Sequence, residues 1–293
     1  MPDPAAPEGS LPSDWPAILV GLVGSGIQGS RTPPMHEREG AEHRLRTIYR
    51  LIDLDVLGLD ISALPDLLAG AERLGFVGLN ITHPCKQAVI PHLDELSPDA
   101  SALGAVNTVV FRDGRRIGHN TDWWGFAESF RRELGDARRE RVALFGAGGA
   151  GAAVAHALLT LGTGELVVVD PGEGRASSLA TSLCRRFGEG RARGLTNASN
   201  PPPIDGLVNA TPLGMTAHPG MAVPPALLLP QRWVADIVYL PLETELLREA
   251  RQRGCRTMSG AGMAVFQAAE AFGLFTGRRA DSDRMFRHFR QLD

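Results

Sequence analysis

A chain of 293 residues with 43% hydrophobic and 22% charged side chains can bury a large core and suits two α/β domains. Its net charge of −3 argues against nucleic acid or an anionic membrane as the main partner. No apolar run reaches a membrane span, and the scattered Cys85, Cys184 and Cys255 suit neither a disulfide framework nor a metal site, so a reducing cytoplasm is expected.

Residues 1–15 contain Pro, Ala, Glu and Asp but no basic residue and no apolar stretch, and read as a disordered tail rather than a signal peptide. Residues 17–23 are a short apolar run ending in glycine, read as a buried strand. A Gly/Ser/Pro loop follows over 24–34, then a helix over 34–42. A strand is expected at 47–53. A helix is expected at 64–73, opened by Pro65 and closed before Gly75, and a third strand at 78–82. Asp113-Gly114, flanked by segments 106–111 and 116–119, signals a hairpin. The alternation of strands and helices predicts a largely parallel sheet.

Near Asp122 the pattern changes. A connecting helix is expected at 123–134 and a strand at 141–145. The run Gly146-Ala147-Gly148-Gly149-Ala150-Gly151 then opens a helix over 152–161, and the next strand, 165–169, ends on Asp170. GxGxxG alone is a weak signal in a chain with 34 glycines, but strand, glycine loop, helix, strand and acid in this order form a dinucleotide fingerprint. Further strands are expected at 206–209 and 233–238, a short polar loop at 197–203, and apolar helices at 264–275 and 284–292. These make a two-domain α/β chain. An N-terminal substrate domain spans 16–121 plus 264–293, a Rossmann-type dinucleotide domain spans 122–263, and the C-terminal helices return to the first domain.

Lys86, Asn107 and Asp122 each follow a strand-like segment ahead of the fingerprint, in Asn80-Ile81-Thr82-His83-Pro84-Cys85-Lys86, Gly104-Ala105-Val106-Asn107-Thr108 and Gly118-His119-Asn120-Thr121-Asp122. Alcohol oxidation needs a group to take the hydroxyl proton, and a partly buried lysine can do so in its neutral form. The bland alternative is a surface Lys–Asp ion pair. Asn80, Thr82 and Asn107 offer hydrogen bonds to a polyol, or could simply cap turns. Asp170 can accept from an adenosine ribose and would repel a 2′-phosphate, which favours NAD. Arg175 could stack on adenine or reach a phosphate, which keeps NADP in view. No histidine spacing suggests a metal.

From about Gly21 to its C-terminus the chain resembles the shikimate/quinate dehydrogenase family, through the three segments above and the glycine loop. The resemblance implies that Lys86 is the general base, assisted by Asp122. It implies that Ser30 and Thr32, in Gly29-Ser30-Arg31-Thr32-Pro33, hold the substrate carboxylate, and that Thr82 and Asn107 contact substrate while Asn80 is structural. Tyr239 and Gln267 match substrate-side residues. Gly146, Gly148, Gly149, Ala150, Gly151, Asp170 and Arg175 would hold the dinucleotide, with Thr211, Ile237 and Gly260 near the nicotinamide or its ribose. The family's usual histidine before the first serine is Gly29 here, and its second serine is Thr32. Ser-x-Thr resembles the branch that accepts quinate as well as shikimate. The expected activity is reversible NAD-dependent oxidation of quinate and shikimate at ring C3. Alternatives are an aminoshikimate or aminoquinate dehydrogenase, and a non-catalytic quinate- or NAD-binding regulator. Oligomeric state, with a homodimer as one option, is open.

Overall fold

The computed structural model describes residues 14–197 and 202–292. The tail expected over 1–15 thus lies outside the described residues as far as position 13, as does most of the loop expected at 197–203. The chain forms two compact units, Met1–His119 with Ala271–Asp293, and Asn120–Glu270. No helix among the described residues is long and apolar enough to cross a membrane.

The first unit contains β1 (Ala17–Gly24), α1 (Thr32–Glu42), β2 (Arg46–Asp53), α2 (Leu54–Leu57), α3 (Leu64–Arg73), β3 (Phe76–Ile81), α4 (Cys85–Ala88), β4 (Glu95–Leu96), α5 (Pro98–Leu103), β5 (Thr108–Arg112) and β6 (Arg115–His119). The sheet order is β2-β1-β3-β5-β6-β4. β1 pairs in parallel with β2 and β3, whereas β5 runs antiparallel to both β3 and β6. This sheet is therefore mixed rather than largely parallel. The segment after β3 returns to the edge it left, with Ile81 N donating to Asn107 O at 2.7 Å, so β5 must run back along β3. Asp113 and Gly114 have φ of 53° and 70°, the left-handed pair of a two-residue hairpin turn. Leu64, Leu68 and Ala71 of α3 pack on Val23, Leu79, Ile81 and Val109 on one face of the sheet, and Ala271 and Phe275 pack with Val20, Leu22 and Val110 on the other.

In the second unit are α6 (Asp122–Leu134), β7 (Arg141–Phe145), α7 (Gly149–Thr160), β8 (Glu165–Val169), α8 (Arg175–Phe187), β9 (Ala192–Leu195), β10 (Gly206–Asn209), β11 (Trp233–Asp236), α9 (Glu245–Gln252) and β12 (Arg256–Met258). Helix α10 (Gly260–Thr276) contributes to both units, and α11 (Ser282–Arg290) belongs to the first. The second sheet is parallel throughout, in the order β12-β11-β10-β7-β8-β9. With β7 counted first this is the doubly wound order of dinucleotide-binding folds. β9 and β12 are sheet edges of four and three residues carrying Arg193 and Arg256, so they leave no apolar run to read in the sequence.

Two buried polar groups shape the first unit. The Glu39 carboxylate is fully buried and accepts from Arg284 Nε at 3.0 Å, Arg284 Nη2 at 2.7 Å and Asp281 N at 2.8 Å, which ties α11 to α1. Losing one partner of a buried pair of this kind costs on the order of 3–5 kcal/mol. His36 lies among the rings of Tyr49, Phe272 and Phe275, and its Nε2 has no hydrogen-bond partner. Burial pulls its pKa down to about 3.

A base whose folded pKa is depressed leaves its proton to the unfolded chain. The resulting stability is complete above pH 6.5 and falls as pH drops toward about 3. His156, lowered to about 4 by burial and then by Arg186, titrates in the same window. Urea unfolding of His36→Leu between pH 7 and pH 5 should therefore show a shallower loss of stability than wild type, by up to about 1.4 kcal/mol per pH unit for one proton. Equal slopes would remove His36 as a source of acid sensitivity.

Candidate active site

In the first unit, backbone pairing gathers most of the expected substrate residues at one edge of the sheet. Gly24 ends β1 so close to the segment after β3 that a Cβ there would lie 2.3 Å from Thr82 Cγ2 and 2.9 Å from His83 O. Thr82 N donates to Val23 O and Ser25 N to His83 O, both at 2.9 Å. The chain then turns, with Cys85 N donating to Thr82 O at 2.8 Å, and enters α4, which carries the half-buried Lys86. Lys86 O accepts from Val106 N at 2.8 Å. Thr82, Lys86 and Asn107 are thereby held by adjacent backbone bonds, although they span 26 positions of sequence.

Asn107 is oriented by a buried chain of side chains. Tyr49 Oη donates to Asn80 Oδ1 at 2.7 Å, Asn80 Nδ2 donates to Thr108 Oγ1 at 3.0 Å, and Thr108 Oγ1 donates to Asn107 Oδ1 at 3.1 Å. This fixes which end of the Asn107 amide faces Thr108. Burial raises the Tyr49 phenol well above its usual pKa, so it remains a donor. Asn80 is buried with both ends of its amide bonded inside the unit, a structural part. Tyr49 and Thr108 escape sequence reasoning, because nothing in their spacing distinguishes them from ordinary strand residues.

Ser30 and Thr32 flank the start of α1, and both are half-buried. Ser30 Oγ accepts from Thr32 N at 3.3 Å, and the next two helical positions are Pro33 and Pro34, which have no N–H. The amides of this first turn are thus either used or missing. The two hydroxyl groups, whose protons remain orientable, can donate to an anion at this point.

The expected dinucleotide residues meet at the C-terminal edge of the second sheet. Gly146 follows β7 with φ of 103°, and a Cβ on it would lie 2.7 Å from Ala210 O. A Cβ on Gly151 would lie 2.0 Å from Gly146 O, so only glycine lets α7 start this close to the loop. By contrast, Gly149 faces open space, with nothing within 4 Å of a Cβ. The first amides of α7, at Gly149, Ala150 and Gly151, lack intrahelical acceptors and form the cradle a pyrophosphate requires. A nicotinamide dinucleotide fits this site.

Asp170, almost fully buried, accepts from Ala147 N at 2.8 Å and from Gly172 N at 2.9 Å. The cap and the ribose acceptor are not exclusive here, because each carboxylate oxygen retains a second lone pair. Arg175 Nη2 stands 3.6 Å from Asp170 Oδ2, with its side chain 57% exposed.

After β10, Thr211 Oγ1 donates to Asn209 Oδ1 at 2.7 Å, and Asn209 Nδ2 donates to Asp236 Oδ1 at 2.9 Å. Asp236 is fully buried and also accepts from Thr244 Oγ1 at 2.7 Å and Val238 N at 3.0 Å; burial raises its pKa against these bonds. Ile237 N donates to Asn209 O at 3.0 Å, and a Cβ on Gly260 would lie 2.2 Å from Ile237 O, so Thr211, Ile237 and Gly260 converge. Tyr239, half-buried, follows two residues later.

Asp122 begins α6, almost buried, with its N donating to Asn120 Oδ1 at 3.1 Å. Gly125 lets α10 approach: a Cβ there would lie 2.8 Å from Gln267 N. Thr121 Oγ1 donates to Gln267 Oε1 at 3.5 Å, and Gln267 Nε2 to Ala264 O at 3.0 Å, so Gln267 sits beside the turn that carries Asp122. Lys86 belongs to the first unit and Asp122 to the second, three residues beyond the end of β6.

Comparison with known proteins agrees with this architecture. The sequence model for the shikimate dehydrogenase substrate binding domain matches residues 22–109, and that for the shikimate 5′-dehydrogenase C-terminal domain matches residues 260–285. The chain is 60% identical over 279 residues to a shikimate dehydrogenase (NADP(+)) of Streptomyces avermitilis, covering 94% of this chain and 96% of that one. It is 48% identical over 280 residues to a quinate/shikimate dehydrogenase (NAD(+)) of Corynebacterium efficiens, covering 94% and 99%. Among solved structures, quinate dehydrogenase from Corynebacterium glutamicum in complex with NAD superposes with a TM-score of 0.87 at 47% identity, over 94% of this chain and 99% of the other. With its two α/β units, its glycine-loop dinucleotide fold and these relatives over nearly its whole length, the chain belongs to the shikimate dehydrogenase family.

Proposed function

We propose that the chain catalyses the reversible oxidation of quinate to 3-dehydroquinate and of shikimate to 3-dehydroshikimate, with NAD as the preferred acceptor. The observation that carries the reading is the Thr82–Lys86–Asn107 cluster at one sheet edge, on the same unit as the Ser30–Thr32 loop. Gly146, Gly148, Gly149, Ala150, Gly151, Asp170 and Arg175 hold the dinucleotide, with Thr211, Ile237 and Gly260 toward its nicotinamide end. The nicotinamide, when bound, would supply the acceptor for the hydride on ring C3. Lys86 takes the proton from the C3 hydroxyl as general base, and Asp122 assists in that step. Thr82, Asn107 and Gln267 bond the remaining hydroxyls, Tyr239 lines the substrate side, and the hydroxyls of Ser30 and Thr32 donate to the carboxylate. The carboxylate reading is supported by the two half-buried, orientable hydroxyls at the start of α1. An NADP-dependent shikimate dehydrogenase is the second reading. It is favoured by the exposed Arg175 guanidinium beside Asp170 and by the name of the Streptomyces relative.

Lys86→Ala should lower kcat about 10²–10⁴-fold while NAD affinity stays close to wild type, as for loss of a general base. Stopped-flow turnover with shikimate measures it, and retention of more than about a third of kcat would remove that role.

For the cofactor, kcat/KM with NAD should exceed that with NADP by about tenfold or more, the equivalent of roughly 1.4 kcal/mol for an uncompensated phosphate–carboxylate contact. Asp170→Asn with Pro171→Arg should narrow or invert the ratio. Equal use of both cofactors by wild type would favour the second reading, with Arg175 holding the phosphate.

Shikimate has a trigonal C1 and quinate a tetrahedral one, so one pair of hydroxyls cannot meet both carboxylates equally well. Thr32→Ser removes one methyl, a change worth about 1–3 kcal/mol of discrimination in a pocket, and should reduce quinate activity relative to shikimate several-fold. Thr32→Val keeps shape, removes the donor and should weaken both. An unchanged quinate-to-shikimate ratio in Thr32→Ser would exclude Thr32 as the discriminator.

A further inference from the structure

Asp53 ends β2, and its carboxylate is buried under the loop that joins β1 to α1. Oδ1 accepts from Gly26 N at 3.1 Å and Asp55 N at 3.2 Å; Oδ2 accepts from Ile27 N at 3.0 Å and Gln28 Nε2 at 2.9 Å. Only the Asp55 bond serves the ordinary task of capping α2. The other three cross 25 to 27 positions of sequence to consecutive residues of the loop. That loop leads directly to Ser30, whose N donates to Ile27 O at 2.9 Å, and Ser30 Oγ accepts in turn from Thr32 N.

Besides these bonds the loop is tied by Ser25 N, which donates to His83 O at 2.9 Å, and by the buried Ile27 side chain. It contains Gly26 and Gly29, and holding each residue in one conformation costs about 1–2 kcal/mol, most for glycine. Gly29, next to Ser30, has no side chain to anchor it, and a Cβ there would find nothing within 4 Å. The Gln28 amide, then burial in opposition, then the Ile27, Gly26 and Asp55 amides govern the Asp53 carboxyl, and the net effect keeps its pKa below the usual value. Only a carboxylate offers acceptors on both oxygens to four N–H donors, since an asparagine would turn an NH₂ either toward the Gly26 and Asp55 amides or toward the Ile27 amide.

We propose that Asp53 is a positioning residue for substrate recognition: through Gly26, Ile27 and Gln28 it sets where the Ser30 and Thr32 hydroxyls stand, and so how tightly a cyclic hydroxy acid is held by its carboxylate. The inference rests on the assignment of Ser30 and Thr32 to that carboxylate.

The test is steady-state kinetics with shikimate and with quinate on the full chain, with NAD saturating for the substrate KM and varied at saturating substrate for the NAD KM. Asp53→Asn should raise the KM for both substrates about tenfold or more, with kcat within about threefold and the KM for NAD within about twofold, because a misplaced binding group weakens capture. Gln28→Ala, at an exposed position, should shift the substrate KM in the same direction by a few-fold. If Asp53 only ends β2 and caps α2, Asp53→Asn will lower the melting temperature and leave both substrate KM values within about twofold, which overturns the proposal. Should Asp53→Asn fail to fold, Gln28→Ala decides: a raised substrate KM supports the clamp and an unchanged one overturns it. Ser30→Ala and Thr32→Val separate this result from the reading beneath it. If they leave the substrate KM unchanged, the carboxylate assignment itself is wrong. If they raise it while Asp53→Asn does not, only the role of Asp53 fails.

Discussion

Parallel strand pairing is the constraint from which both halves of this protein follow. A strand that must run alongside its predecessor sends the chain over a face of the sheet and back to the starting edge. Every loop leaving a parallel strand therefore emerges at the same edge. In the second unit six strands obey this without exception, and the glycine loop, Asp170, Thr211 and Ile237 follow four different strands to one edge. In the first unit, β1 and β3 obey it and β5 breaks it by running back along β3. That reversal is productive, since it brings the residue before β5, Asn107, to the edge where Thr82 follows β3.

The same edge has to be kept from relaxing, and beside its apolar core it is held by buried polar groups. An unmade buried hydrogen bond costs about 1–3 kcal/mol, whereas a made one contributes only about 1 kcal/mol net. Chains such as Tyr49–Asn80–Thr108–Asn107 and Thr211–Asn209–Asp236–Thr244 therefore act more as orientation devices than as sources of stability. Each member fixes which way the next can point. Apolar residues of the same size would pack as well and leave the terminal group free to rotate.

Asp170 shows why one residue can be ambiguous in sequence. Its carboxylate organises the glycine loop through Ala147 N and its own turn through Gly172 N, so it would be kept whether or not it met a ribose. Its charge still bears on the cofactor, because a 2′-phosphate beside it meets a carboxylate whose neighbouring cation, Arg175, is more than half exposed and screened by water. The sign of the local field is therefore set by how far Arg175 can be drawn from Asp170 toward a phosphate.

Residues that are neighbours in sequence, and patterns with a short period, could be read directly. The glycine loop between β7 and α7, the Asp113-Gly114 turn and the alternation of strands and helices all have a local physical cause: a left-handed backbone, a close approach or an amphipathic repeat, whereas the role expected of Lys86 rests on the resemblance of its segment to a known family. The edge strands β9 and β12 were hidden because four or three residues with an arginine among them give no apolar period. The antiparallel course of β5 was hidden because pairing direction is decided by which edge a connection returns to, not by the strand's own composition. Asp53, Tyr49, Thr108 and Gly125 lay beyond reach for a related reason. Asp53 reads as a plain strand-end acid, and its partners lie 25 to 27 residues earlier in the chain. Sequence determined the kinds of groups this protein brings to its site; only the tertiary fold decided which distant backbone amides and side chains would hold them there, since a hydrogen bond is specified by position in space and leaves no period in the chain.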